Sequence, residues 1–242
     1  MSGTILDCPS PNFGERAPGP IDILLLHYTG MPDAEDALAR LRDPESEVSA
    51  HYFVFEDGRI AALVPEEFRA WHAGIASWGG AADINSRSIG IEIANPGHPG
   101  GMPPYPGVQI AAVAELCRAI VGRHPIPPHR VLGHSDVAPG RKRDPGETFP
   151  WAMLAAKGVG LWTEPLPPGE AWLAPGDAGS EVEALQTLLA LYGYGVGVSG
   201  QYGERTEKVV AALQRHFRPA KIDGRADAST LTTLRQMLEA LA

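Results

Sequence analysis

Cysteine is almost absent from this chain of 242 residues, Cys8 and Cys117 being the whole supply. The first sits in a Pro-rich N-terminal arm and the second inside a helical pattern, so no disulfide framework is implied. Also missing is any apolar run near the roughly 18 residues of a membrane span. The N-terminus, MSGTILDCPSPNFGERAPGP, has neither a basic start nor an unbroken apolar stretch long enough for a signal peptide. These absences lead to the expectation of a soluble, cytoplasmic protein. Positive charge is scarce as well. With 20 Lys and Arg against 29 Asp and Glu, the net charge of -9 leaves no basic footprint for a phosphate backbone, which argues against nucleic acid as a partner.

What is present is apolar material for a real core, 44% of the chain, and length for one large or two modest domains. Charge is unevenly spread. Up to residue 174 there are 21 acidic and 13 basic side chains, and beyond it eight and seven, which favours two units. Ile21 to His27 reads as a buried strand between Pro20 and Gly30. Asp33 to Arg42 has helical periodicity and ends at Asp43-Pro44. His51 to Phe55 and Ile60 to Val64 flank Asp57-Gly58 as a hairpin. Ser88 to Ala94 is a further strand, Val108 to Arg123 a helix, and Val131-Leu132 a short extended piece. Strands mixed with helices predict an α/β domain with a central mixed sheet flanked by helices.

From Leu161 to Gly176 four prolines crowd the sequence LWTEPLPPGEAWLAPG, the composition of a semi-rigid linker. Ser180 to Tyr192, Gly203 to Phe217 and Asp227 to Leu241 then predict a small three-helix domain. Its core falls on Leu185, Leu188, Leu189, Val209, Leu213, Phe217, Leu231 and Leu234. Ser180 with Glu183 suggests a capping box, and Thr206, Asp227 and Thr230 offer polar groups at the other starts.

Chemistry concentrates between Gly133 and Gly146, where GHSDVAPGRKRDPG sets His134, Lys142 and Asp144 in one Gly- and Pro-punctuated loop. Imidazole and carboxylate suit a zinc ion, and such backbone can aim both at one point. Each residue has a plainer reading: a structural histidine for His134, a turn for Asp144. His27 ends its strand before the polar, turning Tyr28-Thr29-Gly30, where a ligand or a hydrogen-bonded structural histidine both fit. Glu92, between Ile91 and Ile93, alternates away from them and faces either a cleft or solvent.

The strand LLLHYTG, the strand SIGIEIANPG and the loop VLGHSDVAPGRKRDPG, in this order, resemble the type 2 N-acetylmuramoyl-L-alanine amidases, zinc enzymes that cut peptidoglycan. VSAHYFVFEDG, LVPEEFRAWHAG and DPGETFPW extend the likeness over about residues 10 to 155. The resemblance implies one zinc per chain on His27, His134 and Asp144, with the fourth position open as in catalytic sites. It further implies Glu92 as proton shuttle and Lys142 as oxyanion partner, while Arg141 and Arg143, neighbours in an extended loop, are expected to point elsewhere. Trp71, His72, Ala73 and Asn85 are implied to line or border the substrate cleft. His51 is as well read as a core or supporting histidine, and Ala50 stands where some phage relatives carry a catalytic tyrosine. His98, His124, His129 and His216 read as surface or capping residues.

The C-terminal stretch resembles the three-helix peptidoglycan-binding domain of wall hydrolases, through its Leu-Gln, Gly-Tyr, Gly-Glu-Arg-Thr and Asp-Gly signatures. The implied organisation is an amidase domain with its arm over 1–160, a linker over 161–174 and a binding domain over 175–242. The implied reaction is hydrolysis of the amide between N-acetylmuramic acid, or its 1,6-anhydro form, and L-alanine, with peptidoglycan or muropeptide as the partner. A non-catalytic peptidoglycan sensor is the rival function, and a closed structural zinc site a second one. A wall-binding domain pulls the expected location toward the cell envelope or periplasm, against the cytoplasmic reading.

Overall fold

The computed structural model describes residues 5–241. In chain order its elements are β1 (Leu6–Asp7), β2 (Phe13–Gly14), β3 (Ile23–Tyr28), α1 (Ala34–Arg42), β4 (Tyr52–Val54), β5 (Ile60–Ala62), β6 (Arg69–Ala70), α2 (Ile84–Arg87), β7 (Ser88–Ile93), α3 (Gly107–Arg123), β8 (Val131–Gly133), α4 (His134–Val137), α5 (Trp151–Ala156), β9 (Ala171–Leu173), α6 (Ser180–Tyr192), α7 (Glu204–Phe217), β10 (Ala226–Asp227) and α8 (Ala228–Glu239). Six strands make one mixed sheet in the order β1-β5-β4-β7-β3-β8, in which only the β4–β5 hairpin is antiparallel. No helix among the described residues is long and apolar enough to cross a membrane.

Alternation along the strands decides what each face of the sheet buries. Leu24, Leu26, Val54, Ile89, Ile91 and Ile93 pack against Ile110, Val113, Leu116, Cys117 and Ile120 of α3. On the other face Phe53 and Ala61 meet Ala37, Leu38 and Leu41 of α1. Ile23, Leu25 and Leu132 join the C-terminal helices there. Each Leu, Ile, Val or Phe among them contributes about 1.5–3 kcal/mol when fully removed from water, before entropy is counted. Because β3, β7 and β8 are parallel, their C-terminal ends share one edge of the sheet, and that edge carries His27, Glu92 and His134.

The C-terminal unit is built into this body. Leu185, Leu189, Val209, Leu213, Phe217, Leu231 and Leu234 are buried in the same apolar cluster as Ile23, Leu25, Trp78 and Val137, with Leu188 half-buried against it. Trp78 packs edge-on against Tyr192 and Tyr194, and the Gly79 N–H donates to the Gly193 carbonyl at 2.8 Å. Gly193 sits at φ +133, and a Cβ there would lie 2.5 Å from the Trp78 ring.

Several expectations change locally. The 161–176 stretch is fastened down, β9 pairing with β10. Ser229 Oγ donates to the Leu166 carbonyl, the Gly169 N–H donates to Asp227 Oδ2, and Trp162 packs against two of the apolar clusters. The Ser180 capping box does not form: Gly179 is the cap of α6, so Ser180 already lies inside the helix. Asp227 does cap α8, accepting from the Thr230 N–H at 2.8 Å. Thr206 instead turns inward and accepts from Gln186 Nε2. The loop from Gly133 to Gly146 opens with the helical turn α4, which its Gly and Pro content concealed.

Candidate active site

His27 Nδ1, His134 Nδ1 and Asp144 Oδ2 converge, with 2.9 Å between the two nitrogens and 2.9 and 3.1 Å from them to the oxygen. Ligands of a tetrahedral ion with bonds of about 2.0–2.1 Å stand roughly 3.3 Å apart, so the triangle is close to the size a zinc-like ion needs. All three residues are buried. Two unprotonated ring nitrogens facing one another have no proton to share, and the remaining ring atoms show why both are unprotonated. His134 Nε2 lies 2.9 Å from the Ala73 carbonyl, which requires the proton on Nε2.

A longer chain fixes His27. Ser88 Oγ donates to the Ile84 carbonyl and so accepts from His72 Nε2. His72 Nδ1 therefore accepts from His27 Nε2 at 3.0 Å, leaving His27 Nδ1 bare toward Asp144. Gly90 makes room for this relay, since a Cβ there would meet the His72 ring at 2.6 Å. Burial, with His134 adjacent, pushes the His27 pKa down to about 4, which keeps the ring neutral. Burial raises Asp144, and its carboxyl falls below the usual range only with positive charge beside it, from a protonated imidazole in the metal-free site or from a cation held by the triangle. Two imidazole nitrogens and a carboxylate oxygen are a donor set that suits a divalent ion.

Glu92 is in register with His27 on the neighbouring strand and shares its face. Burial first, and then the Asp144 charge, raise its pKa well above the usual carboxylate value, against the opposing pull of Lys142. Its Oε2 is buried without a hydrogen-bond partner. His27, Glu92, His134, Lys142 and Asp144 all line one cleft of about 550 Å³, whose walls also include Trp71 and His72.

The flanking residues sort differently from expectation. Arg141 and Arg143 both line the cleft rather than pointing elsewhere. Arg141 is drawn in because its guanidinium donates to the Ala73 and Ile75 carbonyls. Trp71 and His72 line the cleft, and Ala73 and Asn85 border it from behind. Asn85 Oδ1 accepts from the His72 and Ala73 N–H groups, fixing that stretch from behind. His51 is a core histidine whose Nδ1 accepts from the Gly90 N–H. His98 bridges Tyr28 and Glu147, and His124 caps α3 while meeting Glu66. His216 is wholly buried, not superficial, and pairs with Asp136 at 2.7 Å. Asp136 was missed by sequence reasoning. Its position three residues after Gly133, where a carboxylate reaches back to a helix start, was the available signal.

Comparison with known proteins finds two family profiles in the chain. One described as N-acetylmuramoyl-L-alanine amidase matches residues 17–147, and one for a peptidoglycan binding domain matches 178–234. The N-acetylmuramoyl-L-alanine amidase AmiD of Escherichia coli (strain K12) is 39% identical over 236 residues, covering 90% of this chain and 83% of that protein. The 1,6-anhydro-N-acetylmuramyl-L-alanine amidase AmpD of Haemophilus influenzae is 32% identical over 171 residues, 62% of this chain and 91% of AmpD. The solved complex of E. coli AmiD with the substrate anhydro-N-acetylmuramic acid-L-Ala-D-gamma-Glu-L-Lys superposes with a TM-score of 0.78 at 35% identity, covering 95% of this chain and 98% of that one.

Proposed function

The chain belongs to the N-acetylmuramoyl-L-alanine amidase family, and from that premise we propose that it is a zinc hydrolase. Its bond is the amide joining N-acetylmuramic acid, or the 1,6-anhydro form of that sugar, to the L-alanine of a stem peptide. The observation that carries the reading is the convergence of His27 Nδ1, His134 Nδ1 and Asp144 Oδ2 in the cleft that also holds the unpartnered Glu92 Oε2. Zinc bound by these three would supply a Lewis acid that acidifies water and polarises an amide carbonyl. Glu92, its pKa raised, takes the proton of the attacking water and returns it to the departing amine of L-alanine. The Lys142 ammonium faces the oxyanion that develops on the carbonyl oxygen. His72 and the Ala73 carbonyl hold the two imidazoles in the tautomer that binds.

We assign the amidase to residues 1–160, the connecting strap to 161–174 and the peptidoglycan-binding unit to 175–242. Three intact donors with Glu92 and Lys142 weigh against a role in binding alone. The test is Glu92→Ala. Zinc content should stay near one per chain while turnover of anhydro-muropeptide falls by at least about 10²–10⁴-fold, the usual share of general acid–base catalysis. Wild-type rates in that variant, or full activity after exhaustive chelation, would remove the reading. Parallel digestion of intact sacculi and anhydro-muropeptide, with product masses measured, decides which form is preferred.

A further inference from the structure

The short turn α4 carries His134 at its first residue, and four residues of helix have little stability of their own. What holds it is Asp136, whose carboxylate is completely buried. A buried carboxylate is costly unless both oxygens are bonded. Here Oδ2 accepts from the Gly133 N–H at 2.8 Å, the amide directly before His134, and from His216 Nδ1 at 2.7 Å. Oδ1 accepts from the Tyr194 hydroxyl at 2.8 Å. Two of the three donors therefore come from the C-terminal unit.

Both donors are themselves held. The His216 ring is stacked between Trp151 at 3.7 Å and Phe217 at 3.8 Å, and Tyr194 stands edge-on to Trp78 at 4.9 Å. The turn also reaches the other arm of the loop, the Ser135 N–H donating to the Asp144 carbonyl at 2.9 Å. A shift of α4 thus moves two of the three converging side chains. We propose that the C-terminal unit is a positioning element of the metal centre, its Tyr194 and His216 fixing, through Asp136, the turn that presents His134. This rests on His27, His134 and Asp144 being metal ligands, and it goes beyond a domain that only retains polymer.

The experiment uses the full chain and compares wild type with Tyr194→Phe, His216→Phe and His216→Asn. Zinc affinity is read by competition with a chromophoric chelator, the stability of metal-free protein by thermal unfolding, and kcat and KM on a soluble muropeptide. His216→Phe keeps the aromatic stack but removes the donor, so zinc affinity should fall about tenfold or more. His216→Asn restores an N–H near the Nδ1 place and should recover most of that loss. Tyr194→Phe gives an independent reading should either His216 variant fail to fold, and all losses should appear in kcat rather than KM. Zinc affinities of Tyr194→Phe and His216→Phe within about twofold of wild type, with only the unfolding temperature lowered, would overturn the proposal while leaving the metal reading intact. A wild type that takes up no zinc would overturn both.

Discussion

Glu92 stands between two isoleucines that turn into the α3 core while it turns into the cleft. That much was legible from the alternation of the strand, whereas the pressure on its carboxyl was not, because burial and Asp144 come from other parts of the chain. The pressure has a sign. With a folded-state pKa above the unfolded one, Glu92 costs nothing below the ordinary carboxylate range of about 4.3, and its ionisation costs stability as pH rises through the raised value. Metal-free Glu92→Gln should therefore be more stable than metal-free wild type at pH 7. The gap should close below about pH 4, as read by thermal unfolding across pH. The three converging donors were visible as residue types in a suggestive loop and at a strand end. His72 as the relay behind His27 was not, since nothing in WHAG reveals that its ring lies over Gly90.

Strands and helices with strong periodicity were readable nearly to their ends, α3 and α6 among them. The two-residue strands β1, β2, β6 and β10 were not, because so short a segment has no period and forms only where a partner waits. One junction between elements makes a further test. Glu66, after β5, receives Arg123 at 2.6 Å and His124 at 2.7 Å from the end of α3, and the Tyr52 hydroxyl of β4 at 2.8 Å. Burial would raise its pKa, yet Arg123, His124 and Tyr52 together bring it down to about 2. A depressed carboxyl stabilises above its unfolded value and loses that contribution as pH falls through the folded one. Glu66→Gln should cost about 1–3 kcal/mol at neutral pH. The difference from wild type should shrink as the unfolding measurement moves from about pH 4.3 toward pH 2.

At the scale of the whole molecule the two units share one core, and composition had suggested a looser pair. The prolines of 161–174 were legible as a stiff connection, but its docking on β10 and α8 depends on partners more than 50 residues away. Cutting the chain at a protease site inserted between Leu166 and Pro168 should leave the halves co-eluting in size exclusion without denaturant. Two separate peaks would contradict the shared core. Gly193→Ala, at φ +133 and against the Trp78 ring, should cost about 2 kcal/mol or more in the unfolding of the entire protein, in one transition.

The seam around Trp78, Asp136 and Trp151 also limits how this molecule can be rearranged. The C-terminal unit turns Tyr192, Tyr194 and His216 toward that seam, and all three are dry. Transplanted to another host it would bring an aromatic wound, and deleted from this one it would leave a matching wound with a stranded carboxylate at its centre. It is not an interchangeable cassette: a graft or a deletion succeeds only if both halves of the seam are rewritten together.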